Sequence, residues 1–198
     1  LENALKIGNG NWIGPHVTIG TPGQDTRNPH YDSSNCRIEI GDDNIIREYT
    51  AIQKPCYRDI TRIGSRVFLM QSVHVPHDAV IDDDVVITPM VVMGGIVNIL
   101  KGANLAVGCS VHQYSVVGHY SIVAMGAALT KNVRPFAKYV PGRPVGINDY
   151  AIKKFGFLDV RQEIEAYLME GATPRDERLV KLISEFEELS TASGRGSY

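Results

Sequence analysis

Cysteine is scarce in this chain: Cys36, Cys56 and Cys109 are all it has in 198 residues, an odd number without the paired spacing that holds zinc. All three read as reduced thiols, as expected in a reducing compartment. Long hydrophobic runs are missing too. No stretch approaches the roughly 18 apolar residues of a membrane span, and no signal-peptide pattern opens the chain. The formal net charge is only −2 and no basic stripe stands out, which argues against a dedicated nucleic-acid binder. A cytoplasmic protein with no membrane span and no nucleic-acid partner is expected. The chain starts at Leu1 rather than methionine, as expected if an amino-terminal piece has been removed or renumbered, and this limits coil counting.

What the chain does have is a period. Ile63, Leu69, Val75, Ile81, Ile87, Met93, Ile99, Leu105, Val111, Val117, Val123 and Leu129 stand six residues apart. Four residues after each comes a small or β-branched residue, from Val67 and Val73 through Ala127 and Val133. With 43% apolar residues, an unbroken series of this length arises by chance on the order of once in tens of thousands of trials.

Six matches neither a helical face nor strand alternation; it is the hexapeptide period of a parallel β-helix. Three six-residue sides close one triangular coil, with the aliphatic position inside and the small residue near a corner. Ile7, Ile13 and Ile19, then Ile40, Ile46 and Ile52, extend the pattern weakly. The fold class is therefore mainly β, a left-handed parallel β-helix over residues 1–134, interrupted by loops near 21–39 and 53–62. Long loops in a regular solenoid point to binding or catalysis.

Beyond Arg134 the pattern changes. Pro135, Pro141, Pro144, Gly142 and Gly146 make an extended linker, so residues 135–198 form a small helical appendage with a polar tail. Asp159 is expected to cap a first helix that buries Val160, Ile164, Tyr167 and Leu168 and ends at Gly171. Thr173 and Pro174 suit the start of a second, with Leu179, Leu182, Ile183, Phe186 and Leu189 on one face. Ser190 to Tyr198 is expected to be disordered. A short triangular prism with apolar outer faces is expected to self-associate with three-fold symmetry.

The informative polar segment is Gln71-Ser-Val-His-Val-Pro-His-Asp78. His77 is a candidate base, and Asp78 beside it is placed to orient the ring and stabilise its charged form. Alternatively, His74 and His77 only decorate a solenoid surface. Gly95 lies eighteen residues after His77, one rung of about 4.8 Å along the same face. The Gly94-Gly95 pair either admits a substrate to a backbone N–H that stabilises an oxyanion, or merely eases a corner. His112, one residue short of two coils from His77, and Gln113 beside it suit hydrogen bonding to a polar ligand along the prism. His16, His30 and His119 read as surface residues.

Taken in order, Ile40-Gly-Asp-Asp-Asn-Ile-Ile-Arg-Glu48, Leu69-Met-Gln-Ser-Val-His-Val-Pro-His-Asp78, Val111-His-Gln-Tyr114 and Gly146-Ile-Asn148 resemble the acyl-ACP:UDP-N-acetylglucosamine O-acyltransferases that begin lipid A synthesis. The likeness runs from about Ile13 to Phe157. It implies a homotrimer with active sites between neighbouring prisms, and an acyl or 3-hydroxyacyl donor carried by acyl carrier protein or coenzyme A. It also implies a nucleotide amino-sugar acceptor and no bound cofactor or metal. In that resemblance His77 is the general base, Asp78 its companion and Gly95 the oxyanion donor. His74, His112 and Gln113 line the sugar-nucleotide and acyl sites. Gln24, Asp25 and Arg27 match a sugar-nucleotide element in which arginine replaces lysine, and Lys153 and Lys154 match paired basic residues on the nucleotide or carrier side.

Departures from the family pattern are equally specific. Ile96 replaces a histidine after the oxyanion glycine. Met125 stands where long-chain enzymes have glycine at the far end of the acyl groove, which predicts a shorter acyl chain. The linker around Arg143, a candidate nucleotide contact, lacks an Asn-His motif, and both ends are short. Other readings are a coenzyme A-dependent N-acetyltransferase of an amino-sugar nucleotide, a zinc enzyme like the γ-type carbonic anhydrases using His74 and His77, and a non-catalytic binding prism.

Overall fold

The structure, a computed structural model, describes residues 4–27 and 36–198; His30 lies outside them. Short parallel strands stack into three sheets. The first contains Leu5–Ile7, Arg37–Ile40, Ile60–Ile63, Val80–Ile81, Asn98–Ile99 and Val116–Val117. The second begins at Trp12–Ile13 and the third at Thr18–Thr21, each gaining one strand per coil. Rungs match eighteen residues apart, as in Val80 with Asn98 and Val92 with Ser110. The architecture is a left-handed parallel β-helix of triangular section. Both apolar columns point inward: Leu69, Ile87 and Leu105 are fully buried, as are Ala79, Val97, Ala103 and Cys109. The three cysteines are thiols.

The corners have a rule of their own. Residues 66, 72, 78, 84, 90, 96, 102, 108, 114, 120 and 126 all have φ near +60°. Glycine fills this left-handed turn at 102, 108 and 126, but Asp78, Ile96 and Tyr114 occupy it too. The cost for an L-residue is about 1–2 kcal/mol, which the stacking of adjacent coils must offset. This turn directs residues 77, 95 and 113 outward in one column where the third sheet passes to the first.

The parallel ladder continues past Arg134: Ala137–Tyr139 pairs with Ile122–Val123, and Gly146–Ile147 folds back antiparallel. Three helices follow, α1 (Asp149–Lys154), α2 (Arg161–Glu170) and α3 (Glu177–Ser193). Asp159 does not cap α2. It sits in a short 3-10 turn and pairs with Arg178, while the α2 N-cap position, Val160, supplies no side-chain bond. Gly171 does end α2 in the left-handed conformation. The second long helix starts three residues later than Thr173 suggests, because the Asp176 carboxylate caps Arg178 and Leu179.

The tail is ordered, contrary to its composition. Gly196 O accepts from Asn132 N, Tyr198 N donates to Asn132 O, and the Tyr198 ring stacks on Tyr139 at 4.2 Å. Among the described residues no helix is long and apolar enough to cross a membrane.

His119 is not a surface residue. Helix α3 packs along the first sheet, and His119 is 3% exposed beneath it with neither ring nitrogen hydrogen-bonded. Glu185 Oε2 is 3.3 Å from Nε2 without bonding geometry. Burial, and then Lys101, push its pKa down from 6.5 to about 4. The unfolded chain therefore takes up this proton first as pH falls, so stability is complete above the unfolded value and declines on the acid side. Between about pH 7 and pH 5 the wild type is expected to lose about 2 kcal/mol more than His119→Gln, measured as urea midpoints.

Candidate active site

Asp78 organises the corner. Its left-handed turn points the carboxylate under residues 54–59, where the consecutive amides of Cys56, Tyr57 and Arg58 donate to it at 3.1, 3.1 and 2.7 Å. Asp78 Oδ2 also accepts from His77 Nδ1 at 2.6 Å. Burial raises the carboxyl pKa, but the His77 bond and the three amides outweigh it and leave a net lowering. An ionised acceptor on Nδ1 fixes the imidazole tautomer, so Nε2 presents its lone pair away from the prism.

That nitrogen faces Gly95. A Cβ built on Gly95 would lie 2.2 Å from His77 Cε1 and 2.3 Å from Nε2, so only glycine admits the ring. Ile96 N donates to His77 O and Tyr114 N to Gly95 O, which stacks His77, Gly95 and Gln113 on successive rungs. The Gly95 N–H donates to no acceptor among the described residues. Gly23 closes the other side: a Cβ there would meet His77 Cβ at 2.7 Å. Tyr57 meets the imidazole edge-on at 6.0 Å. His74 donates Nδ1 to Met93 O at 3.1 Å and keeps Nε2 buried without a partner, while burial lowers its pKa. It offers an acceptor in place.

No protein-family model matches the chain. An acyl-[acyl-carrier-protein]–UDP-N-acetylglucosamine O-acyltransferase of Burkholderia thailandensis is 30% identical over 192 residues, 93% of this chain and 71% of that protein. The chain belongs to this O-acyltransferase family. A Gloeothece citriformis member is 33% identical over 159 residues, 79% of this chain, and the chain spans only 56% of its length. In structure, the UDP-N-acetylglucosamine acyltransferase of Francisella novicida superposes with a TM-score of 0.80 at 26% identity, covering 100% of this chain and 80% of that one.

Residues 24–27 of the first loop lie against the same corner. Asp25 bonds Arg27 at 2.8 Å and accepts from Tyr57 Oη at 2.8 Å, with the Arg27 guanidinium over the Tyr57 ring. Gln24 N reaches Gln53 Oε1. Gln24, Asp25, Arg27, His74, His77, Asp78, Gly95, His112 and Gln113 thus gather along one corner and its adjoining face. Four expected site residues do not join them within the chain. Met125, 75% exposed, lies at the corner between the second and third sheets, and Arg143 in the turn before Gly146–Ile147. Lys153 and Lys154 end α1, where Lys154 sits over Phe155 beside Tyr120.

Tyr57 and the amide cradle escape sequence reading, because backbone donors leave no residue signature; the break in register near 53–62 was their only trace. Cys56, His77 and Asp78 bring possible metal-ligand atoms within 4.8 Å of one another. The Asp78 carboxylate is already occupied by amides and imidazole, so the cluster is built to orient a ring. His74, whose Nδ1 is turned to Met93 O, is not part of that group.

Proposed function

We propose that the chain transfers an acyl or 3-hydroxyacyl group from an acyl-carrier-protein or coenzyme A thioester to a hydroxyl, or amine, of a UDP-linked or related nucleotide amino sugar. The observation that carries this reading is the His77 imidazole, backed by Asp78, standing against the unpartnered Gly95 N–H. His77 Nε2 takes the acceptor proton as the oxygen or nitrogen attacks the thioester carbonyl. The oxyanion then accepts from Gly95 N–H. Collapse breaks the carbon–sulfur bond, and the departing thiolate takes the proton from the imidazolium, whose charge Asp78 stabilises meanwhile.

Gln24, Asp25 and Arg27 are assigned to the sugar nucleotide, and His74 Nε2 accepts from a substrate hydroxyl. A homotrimer completes the site, bringing Arg143, Lys153, Lys154 and Met125 of neighbouring prisms toward the groove. The exposed Met90, Val92, Val107 and Met125 support such packing. Reduced thiols fit a cytoplasmic setting. No metal or resident cofactor is required, because the acyl group arrives activated.

Mass spectrometry of products from a panel of acyl-ACP and acyl-CoA donors with several sugar nucleotides tests the reading. Turnover of an acyl thioester supports it, and ligand binding without turnover of any donor overturns it. Preference for acetyl-CoA with an amine acceptor selects the N-acetyltransferase alternative. The thioether of Met125 is expected to shorten the acyl groove. Met125→Gly should therefore raise relative kcat/KM for donors two carbons longer by about tenfold or more, measured in competition between donors.

A further inference from the structure

The ordered tail puts a cation against His112. Gly194, at φ 65°, ends α3 and turns the chain back toward the prism. Asn132 Nδ2 then gathers the tail, its two protons shared among Ser190 Oγ, Ser193 Oγ and Arg195 O at 2.8, 3.0 and 3.0 Å. From this anchored segment the Arg195 side chain donates Nε to Gln113 O at 2.6 Å and Nη1 to Thr130 O at 2.9 Å. Its Nη2 meets His112 Nδ1 at 2.5 Å.

We propose that Arg195 is a positioning residue that fixes the tautomer and aim of His112 for the substrate. A guanidinium has donors only, so His112 Nδ1 accepts. The competing role, Nδ1 donating to Gln113 O at 3.4 Å, is the longer contact and would set an Nδ1 proton against the guanidinium N–H. The imidazole N–H is thereby placed on Nε2. His112 is exposed on the rung next to Gln113, which shares the column of His77 and Gly95. It thus presents an oriented donor two rungs from the base. Thr130 O and Gln113 O hold the guanidinium plane, a geometry that a lysine ammonium reproduces at one acceptor only.

The kinetic consequence rests on the acyltransferase reading above; the tautomer does not. In ¹⁵N-histidine-labelled full-length protein, His112 is expected as the Nε2–H tautomer, and Arg195→Ala should shift its ring resonances toward a tautomer mixture. KM for the nucleotide sugar should rise about tenfold with kcat nearly unchanged, and Arg195→Lys should recover only part of that. Adding Arg195→Ala to His112→Asn should cost nothing further, whereas a merely structural role would cost the same in both backgrounds. Unchanged His112 resonances, or an additive double variant, overturn the proposal. Full activity in His77→Ala would instead overturn the acyltransferase reading and leave the tautomer result standing.

Discussion

His77→Ala is expected to lower kcat by about 10³-fold while KM for both substrates stays within a few-fold. The ring supplies the one basic nitrogen that faces Gly95, and the residues proposed to grip the sugar nucleotide are separate from it. Folding should be little affected, because Asp78 keeps its bonds from the Cys56, Tyr57 and Arg58 amides when the imidazole is gone. His77→Asn tests the same step with a polar side chain that retains a donor toward Asp78 but has no base to offer, and it should fall as far. The check is steady-state kinetics beside thermal melts of the three proteins. Wild-type turnover in either variant would remove His77 from the chemistry.

The columns that face the interior were legible because a coil returns each position to the same place, so Leu69, Ile87 and Leu105 announce themselves by type as well as spacing. The same arithmetic put Gly95 one rung from His77. Corners were less legible: the left-handed turn is imposed by the coil, and Asp78, Ile96 and Tyr114 adopt it without any shared chemistry to mark it. His119 was misread because an outward position on a solenoid looks solvent-exposed until something covers it, and α3 does so from more than sixty residues away. The tail was misread for a similar reason. Its serines and glycines look solvated, yet Asn132 collects them as a last rung. Helix starts went astray where two acidic residues competed, Asp159 being drawn into an ion pair with Arg178 while Asp176 took the cap.

Gly95→Ala separates the two roles assigned to this corner. The substitution keeps the backbone N–H, and residue 95 is outside the left-handed region, so alanine meets no backbone penalty there. Narrowing the unfolded ensemble favours alanine by about 0.4–1 kcal/mol, which offsets part of the cost of displacing the buried imidazole from Asp78. What it cannot keep is the imidazole. The new methyl would overlap His77 Cε1 and Nε2, and the ring has no retreat while Asp78 holds Nδ1 at 2.6 Å and Gly23 stands behind Cβ. Relief requires the ring to swing off Asp78. A displacement on the order of 1 Å costs about 10²-fold in kcat, so a protein that melts near the wild-type temperature yet turns over at about 1% is the expected result. Gly94→Ala should behave in the opposite way, because its Cβ would lie 2.6 Å from Gln113 N, a backbone atom of the next rung, and lowers stability before it touches the base. Equal kinetic losses in the two variants, tracking their losses in melting temperature, would mean that the glycine pair serves the turn alone.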